Sequence, residues 1–154
     1  MYKMKRVLVL MLVLSVLSTM FISTNVNAAN TTYYVDSVGG SDGNNGTSTS
    51  TAWKTLSKVS SVTFGPGDRI LFKRGCTFTG TVAFHGSGIS GNPITVDAYG
   101  TGNAPLITTS EAKTVITLFD ESYWTVQNLE ITAPQGAGIW IDAPNRNVST
   151  IFIK

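Results

Sequence analysis

Short apolar runs alternate with turn-forming residues along the chain from residue 32 onward. Within most runs apolar and polar positions alternate, as they do in a strand with one buried face. Gly, Asn, Pro and Asp separate the runs, and these residues favour turns. The pattern therefore predicts an all-β protein made of short strands. The runs begin at Tyr33, Ile70, Phe78, Val82, Ile94, Leu106, Val115, Trp124, Leu129, Ile139 and Val148.

One segment has helical spacing instead. Trp53, Leu56 and Val59 recur so that they share one face of about two helical turns. Hydroxyl side chains at the start of this segment suit an N-cap. We expect a short helix over residues 52–59. It would cover the N-terminal end of the β-structure, where backbone N–H and C=O groups otherwise lack partners.

The strands also recur at an interval in the low twenties. The strand at residues 94–97 has counterparts at 115–118 and 139–141, and the strand at 124–126 has one at 148–151. Three short strands in a repeat of this length are typical of one coil of a parallel β-solenoid. Inward Ile, Val and Leu side chains would then stack on the same positions of the next coil.

A β-sandwich is the alternative architecture. Its hairpins usually carry Asn-Gly or Asp-Gly turns between matched strands, and no such turn joins these strands. Asn128 lies between two apolar runs, and Asn tolerates the left-handed backbone of a sharp corner. These features favour the solenoid. The predicted helix supplies a cap at one end, and the apolar pattern runs up to Lys154 without a second cap, so we expect that later C-terminal coils are missing.

The N-terminus has the layout of an export signal. Lys3, Lys5 and Arg6 precede an apolar run, and Val26-Asn27-Ala28 offers a cleavage site. The alternative is a membrane-spanning helix, but the run is short for a bilayer core about 30 Å thick. We therefore expect a secreted protein, and no later apolar segment is long enough to span a membrane.

The predicted organisation has three parts. Residues 1–28 are the signal peptide, and residues 29–64 hold the N-terminal strand, a loop and the capping helix. Residues 65–154 hold the first coils of the solenoid, truncated at the C-terminus. Cys76 is the only cysteine, so no intramolecular disulfide is possible, and we expect a buried structural thiol.

The net charge bears on one class of partner. Lys and Arg number 11 against 9 Asp and Glu, and removal of the three cations before the apolar run leaves 8 against 9. A mature chain without excess positive charge gives no support to a nucleic-acid partner.

Several segments resemble the opening of secreted bacterial proteins of the pectate-lyase superfamily, which fold as right-handed parallel β-helices. The resemblance is to family-nine pectate lyases and to chondroitinase-B-like proteins, and it extends over nearly the whole chain after the signal. The matching segments are YYVDS (residues 33–37), GSDGNNGT (40–47), AWKTL (52–56), GDRILFKRG (67–75), SGISGNPITV (87–96) and YWTVQNLEI (123–131).

This resemblance implies a function for the full-length parent. It would act on an acidic polysaccharide as a uronate lyase working by β-elimination, with catalytic residues beyond Lys154, and it would be a monomer. The alternatives are a non-catalytic carbohydrate-binding or cell-surface β-helix protein, or a glycoside hydrolase on the same fold. A lyase needs a base and a cation that neutralises the uronate, usually Ca²⁺. A glycoside hydrolase needs a pair of carboxylates.

Three aspartates offer a candidate metal site. Asp97, Asp120 and Asp142 recur at nearly equal intervals along the chain, and each interval is close to the apparent repeat. In register they would stack at the ~4.8 Å strand spacing, where repulsion favours a bound cation such as Ca²⁺. The alternative is a row of solvated turn aspartates.

Two further kinds of side chain are candidates for binding a substrate. Arg146 is close to the last predicted strand and would contact a uronate or remain a surface charge. Trp124 and Trp140 would either stack on sugar rings or pack in the core.

Overall fold

A computed structural model describes residues 30–144 and 151–154. The regular elements of this part of the chain are nearly all short β-strands, with one α-helix, α1 (Leu56–Ser60), and a 3-10 turn at Thr49–Thr51. None of its helices is long and apolar enough to cross a membrane. The prediction of an all-β protein is therefore confirmed. The strands are β1 (Thr32–Val35), β2 (Arg69–Lys73), β3 (Thr77–Thr79), β4 (Val82–Phe84), β5 (Ile94–Tyr99), β6 (Leu106–Thr108), β7 (Ile116–Phe119), β8 (Trp124–Val126), β9 (Glu130–Thr132), β10 (Ile139–Asp142) and β11 (Ile151–Ile153).

The strands form three sheets in which neighbours are parallel. Sheet 1 has the order β1-β2-β5-β8-β11, sheet 2 the order β3-β6-β9, and sheet 3 the order β4-β7-β10. From β2 onward the chain visits sheet 1, sheet 2 and sheet 3 in turn and then returns to sheet 1. We call each such pass a circuit. Three short strands per circuit agree with the predicted repeat.

The interval between paired strands differs from the prediction. Ile94 of β5 pairs with Trp124 of β8, whereas Ile116 of β7 pairs with Ile139 of β10, which is a clearly shorter step along the chain. Because the connecting loops differ in length, no single period relates the circuits. Equating residues 94–97 with 115–118 was wrong, since the first lie in sheet 1 and the second in sheet 3.

Inward-facing side chains of successive circuits lie side by side in the core. In sheet 1, Ile70 pairs with Val96, and Val96 pairs with Val126. All three side chains are buried. Burying an aliphatic side chain of this size contributes about 1.5–3 kcal/mol, so these rows supply much of the stability. Trp124 fills the centre, fully buried, with its ring 5.2 Å from that of Phe84.

The helix is shorter than predicted. It begins after Thr55, whose Oγ1 accepts a hydrogen bond from the Lys58 backbone N–H at 3.1 Å. Asp42 holds the preceding residues outside the helix, since its Oδ1 accepts from the backbone N–H groups of Lys54 and Thr55. Trp53 instead pairs with β1 through a backbone bridge to Val35. The helix therefore starts about one turn later than the apolar spacing indicated.

Local backbone geometry explains two other positions. Asn128 has a φ of 59°, which confirms the predicted left-handed corner between β8 and β9. Gly46 has a φ of 77°, and a Cβ there would lie 2.4 Å from the Trp53 ring. Glycine is required at this position both for the turn and for the packing of Trp53. Cys76 is buried, as predicted.

Candidate functional site

The outer face of sheet 3 carries exposed aromatic side chains. Successive residues of a strand point to opposite sides, and the inward residues of β4 and β7 are buried. On the outward side, Thr117 lies between its register partners Ala83 and Trp140. Trp140 is 55% exposed and Phe119 is 53% exposed. The small side chains of Ala83 and Thr117 leave space beside the indole.

This space is a cleft of about 450 Å³, which we call the sheet-3 cleft. Its floor is apolar, and hydroxyl groups together with Lys113 and Asp142 supply its polar atoms. Asp142 pairs in register with Phe119, so a carboxylate and an aromatic ring lie next to each other at one end. The cleft is lined by Thr81, Val82, Ala83, Lys113, Thr114, Thr117, Phe119, Trp140 and Asp142.

A second depression of about 360 Å³ adjoins the first, and we call it the hydroxyl pocket. It shares Thr81 and Lys113 with the sheet-3 cleft. Lys113 forms an ion pair with Glu111 here, which offsets its charge. The pocket is lined by Thr55, Leu56, Ser57, Thr79, Gly80, Thr81, Thr109, Glu111 and Lys113.

Asp97 does not join the other two predicted metal ligands. It lies in β5 of sheet 1 and is buried. Its carboxylate accepts hydrogen bonds from Gln127 Nε2 at 2.9 Å and Asn128 Nδ2 at 2.7 Å, and Arg69 lies 3.6 Å away. Burial by itself raises the pKa of Asp97, but the bonds from Asn128 and Gln127 outweigh it and lower the pKa. This carboxylate holds the corner after β8 in place.

Asp120 and Asp142 do lie together, at the end of sheet 3. The Asp120 backbone N–H donates to the Asp142 carbonyl at 2.8 Å. Among residues 30–144 and 151–154, no group of three or more His, Cys, Asp and Glu side chains is placed to hold a metal ion. The three aspartates do not form one stack because the apparent period joined strands of different sheets. Ca²⁺ binding stays a prediction, which calorimetric titration tests.

The other residues that the sequence analysis singled out lie in different parts of the chain. Arg146 and the proposed signal peptide lie outside the described residues. Trp124 belongs to the core, where its Nε1 donates to the Gly86 carbonyl at 2.8 Å. Trp140 faces solvent. Lys113 and Phe119 were missed, although an aromatic residue at an outward strand position was a signal available in the sequence.

Asp36 is the most strongly perturbed carboxylate of the described residues. It accepts hydrogen bonds from the backbone N–H groups of Val38 and Gly39, both at 2.9 Å, and from Lys73 Nζ at 2.6 Å. Burial alone raises its pKa, but these donors together lower the pKa of Asp36 to about 2. Nearby, burial raises the pKa of Tyr99 to about 12, and the negative charge of Asp36 adds to this. Neither the sheet-3 cleft nor the hydroxyl pocket opens onto these groups, so we assign them a structural role.

Most carboxylates of the chain have structural partners. All nine Asp and Glu residues lie in the described part. Asp142 is the only carboxylate in the sheet-3 cleft, and Glu111 is the only one in the hydroxyl pocket, where Lys113 pairs with it. Neither depression therefore holds the pair of free carboxylates that glycoside hydrolysis needs. Carboxylates that accept hydrogen bonds from backbone or side-chain donors include Asp36, Asp42, Asp68, Asp97 and Glu121.

Comparison with known proteins identifies relatives among glycoside hydrolases. No family model matches the chain. A lacto-N-biosidase of Bifidobacterium longum subsp. longum is 33% identical over 159 aligned positions, which cover 80% of this chain and 10% of the relative. The crystal structure of a GH136 lacto-N-biosidase from Eubacterium ramulus, as its selenomethionine derivative, superimposes with a TM-score of 0.66 and 26% identity. That match covers 80% of this chain and 27% of the other. The native form of the same enzyme gives 0.64 and 25%.

These relatives correct the predicted family and activity. They are glycoside hydrolases, so the pectate-lyase resemblance and the uronate lyase activity were wrong, and the glycoside hydrolase alternative is favoured. The segments that suggested a lyase consist largely of strand and turn residues, which determine backbone geometry. The chain spans about a tenth of its curated relative and about a quarter of the solved chain.

Proposed function

We propose that this chain is the N-terminal part of a secreted glycoside hydrolase related to the GH136 lacto-N-biosidases. The observation that carries the proposal is the 33% identity to a lacto-N-biosidase over 80% of the chain. The structural similarity to a second lacto-N-biosidase supports it independently. The substrate would be a glycan that contains lacto-N-biose, the disaccharide after which the relatives are named.

We further propose that the chain folds as the first coils of a right-handed parallel β-helix. The repeated order of sheet 1, sheet 2 and sheet 3 supports this, since one circuit through three parallel sheets is one coil of such a fold. Under this proposal β1 and α1 form the N-terminal cap. Further coils would follow β11, because its inward Ile153 is 50% exposed whereas its partner Val126 is 2% exposed.

The catalytic carboxylates belong to those further coils in this proposal. Hydrolysis requires one carboxyl group as acid and a second as base or nucleophile, about 5–9.5 Å apart. Neither depression described above supplies such a pair, and the relatives are several times longer than this chain. We therefore infer that residues 30–154 contribute the scaffold and a binding surface, while the bond is cleaved elsewhere in the complete protein.

The test is hydrolysis of an aryl lacto-N-bioside by the polypeptide that the complete gene encodes. We expect release of the phenol by that protein and none by the 154-residue chain alone. Binding without turnover by the complete protein would contradict the hydrolase proposal and favour a carbohydrate-binding role. Turnover by the chain alone would contradict the assignment of the catalytic pair to further coils.

Export is a separate proposal. We infer that residues 1–28 are removed on secretion, as the sequence predicts. N-terminal sequencing of the protein from culture medium should begin at Ala29 or Asn30. Retention of the whole product inside the cell would contradict the proposal.

A further inference from the structure

We propose that the sheet-3 cleft and the hydroxyl pocket form one groove that binds a neutral part of the glycan, with Trp140 as the surface on which a sugar ring stacks. The inference rests on the proposed function, because it takes the ligand to be a glycan. It goes further by assigning a binding site to residues of this chain.

The exposure of Trp140 is the first observation. The other two tryptophans, Trp53 and Trp124, are 3% and 0% exposed, whereas Trp140 is 55% exposed on an outward sheet face. A further strand paired to β10 would cover the edge of sheet 3 and would not cover its outer face. The indole face would therefore remain accessible in a longer protein. An indole offers a flat apolar surface with a polar N–H, which suits the apolar face of a pyranose ring.

The shape beside Trp140 is the second observation. Its register neighbour is Thr117, and Ala83 follows on the next strand, so small side chains form the floor. The resulting volume of about 450 Å³ lies within the range of small-molecule sites. Phe119, 53% exposed, adds a second aromatic wall. The cleft is thus a concave apolar surface with a few polar groups.

The polar groups indicate a neutral ligand. Among the residues that the structure describes, Lys113 and Asp142 are the only ionisable side chains that line the sheet-3 cleft, and their charges are opposite. Lys113 is also paired with Glu111 in the hydroxyl pocket. A uronate would find no uncompensated cation among the described residues that line this groove. Hydroxyl groups can donate to or accept from the hydroxyls of a neutral sugar, and a carboxylate can accept from them.

The adjacency of the two depressions bears on the length of the ligand. Thr81 and Lys113 line both, so the hydroxyl pocket adjoins the cleft that holds Trp140. Thr55, Thr79 and Thr109 line the far end. Each volume exceeds that of one sugar ring, so the groove suits a glycan of two or more residues. Because neither part holds a free carboxylate pair, the groove would bind sugars distant from the cleaved bond.

The test compares two substrates of the complete protein, an oligosaccharide extended beyond lacto-N-biose and the short aryl lacto-N-bioside. A Trp140→Ala substitution should raise KM for the extended substrate about tenfold, as expected when an aromatic anchor is lost. KM for the aryl substrate should change by less than about twofold, since it does not reach the groove. Lys113→Met should raise KM for the extended substrate by a smaller factor, about threefold. Binding of the extended substrate should also alter tryptophan fluorescence in the wild type and not in Trp140→Ala.

Phe152→Ala is the matched control. Phe152 is 54% exposed and faces outward on sheet 1, so its substitution removes a similar apolar surface at another place. It should leave both KM values unchanged. Thermal unfolding of all variants checks that each is folded.

The outcomes separate the two proposals. Equal KM values of wild type and Trp140→Ala for the extended substrate overturn the groove and leave the hydrolase standing. Equal loss on both substrates, or the same loss in Phe152→Ala, also overturns the groove. Failure of the wild type to bind or cleave either substrate overturns both proposals.

Discussion

The two ends of the β-structure differ in how they cover the core. At the first end, Trp53 and Leu56 are 3% and 4% exposed, and the Tyr33 ring stacks on Trp53 with centroids 4.7 Å apart. At the last end, Ile141 and Ile153 are 41% and 50% exposed. Inward apolar residues occur at both ends. They are buried only where another layer of chain lies on them.

The same contrast applies to carboxylates. Asp36, which follows β1 at the first end, accepts hydrogen bonds from two backbone N–H groups and from a lysine ammonium. Asp142, in the last strand of sheet 3, lines an open cleft. A carboxylate enclosed by donors stabilises the fold, whereas one beside an exposed aromatic ring is available to a ligand. The surroundings of a carboxylate in the fold, and not its residue type, therefore decide its role.

Trp124→Ala should produce the largest loss of stability, because Trp124 is the largest fully buried side chain between the two ends. We expect a loss of about 3–5 kcal/mol in the free energy of unfolding, from the cavity and from the unpaired Gly86 carbonyl. Urea denaturation measures it. Trp140→Ala serves as the comparison and should change stability by less than about 0.5 kcal/mol. Equal losses would contradict the distinction between a core and a surface tryptophan.

Leu56→Ala tests the covered end. It removes a buried side chain of α1 and should cost about 2–4 kcal/mol by denaturant unfolding. A cost below about 1 kcal/mol would show that α1 does not seal the core.

The pH dependence of stability tests Asp36. Its pKa is about 2 in the folded chain against an ordinary 3.8. The ionised carboxylate therefore stabilises the fold above about pH 4, and this contribution is lost as pH falls from about 4 to 2. It should amount to about 2 kcal/mol.

Urea unfolding of the wild type and Asp36→Asn at neutral pH and near pH 2 measures this difference. The variant should be less stable at neutral pH, and the gap should narrow in acid. Asp42 and Asp97, whose pKa values are also lowered, titrate in both proteins and cancel in the comparison. A gap that stays constant with pH would rule out ionisation as the cause.

Ile153→Ala should have a small effect in this chain and sharpens the comparison of the ends. In this chain we expect a cost below about 1 kcal/mol, because half of the side chain is exposed. In the complete protein the cost should rise to about 2–4 kcal/mol if a further coil covers it. The same small cost in both proteins would argue against a coil at this position.

Much of the fold was predictable from local sequence. The strands and the left-handed corner at Asn128 follow from alternation and backbone preference, which act over a few residues. The helix was placed too early because Asp42, which is distant from Lys54 in sequence, accepts a hydrogen bond from its backbone N–H. Sequence spacing does not reveal such a contact.

The candidate site was less predictable. Trp140 and Asp142 were singled out, but Lys113 and Phe119 were not, since they approach Trp140 through the pairing of β7 with β10. Asp97 was grouped with Asp120 because a uniform period was assumed. Because the loops differ in length, equivalent positions of successive circuits are not separated by a constant number of residues. Only the strand pairing in the structure shows which positions are equivalent.

The sequence alone determined that this is a chain of short strands and tight turns, because those preferences reside in single residues and their neighbours. Its similarity to lacto-N-biosidases also rests on sequence. Only the tertiary structure decided which tryptophan is core and which is surface, and which aspartates are held by hydrogen bonds. Those outcomes depend on which circuit lies beside each residue. Strand pairing decides which residues, far apart in the chain, become neighbours. Ile94 pairs with Trp124, and Ile116 pairs with Ile139. The separations of these two pairs along the chain differ because the loops between the strands differ in length.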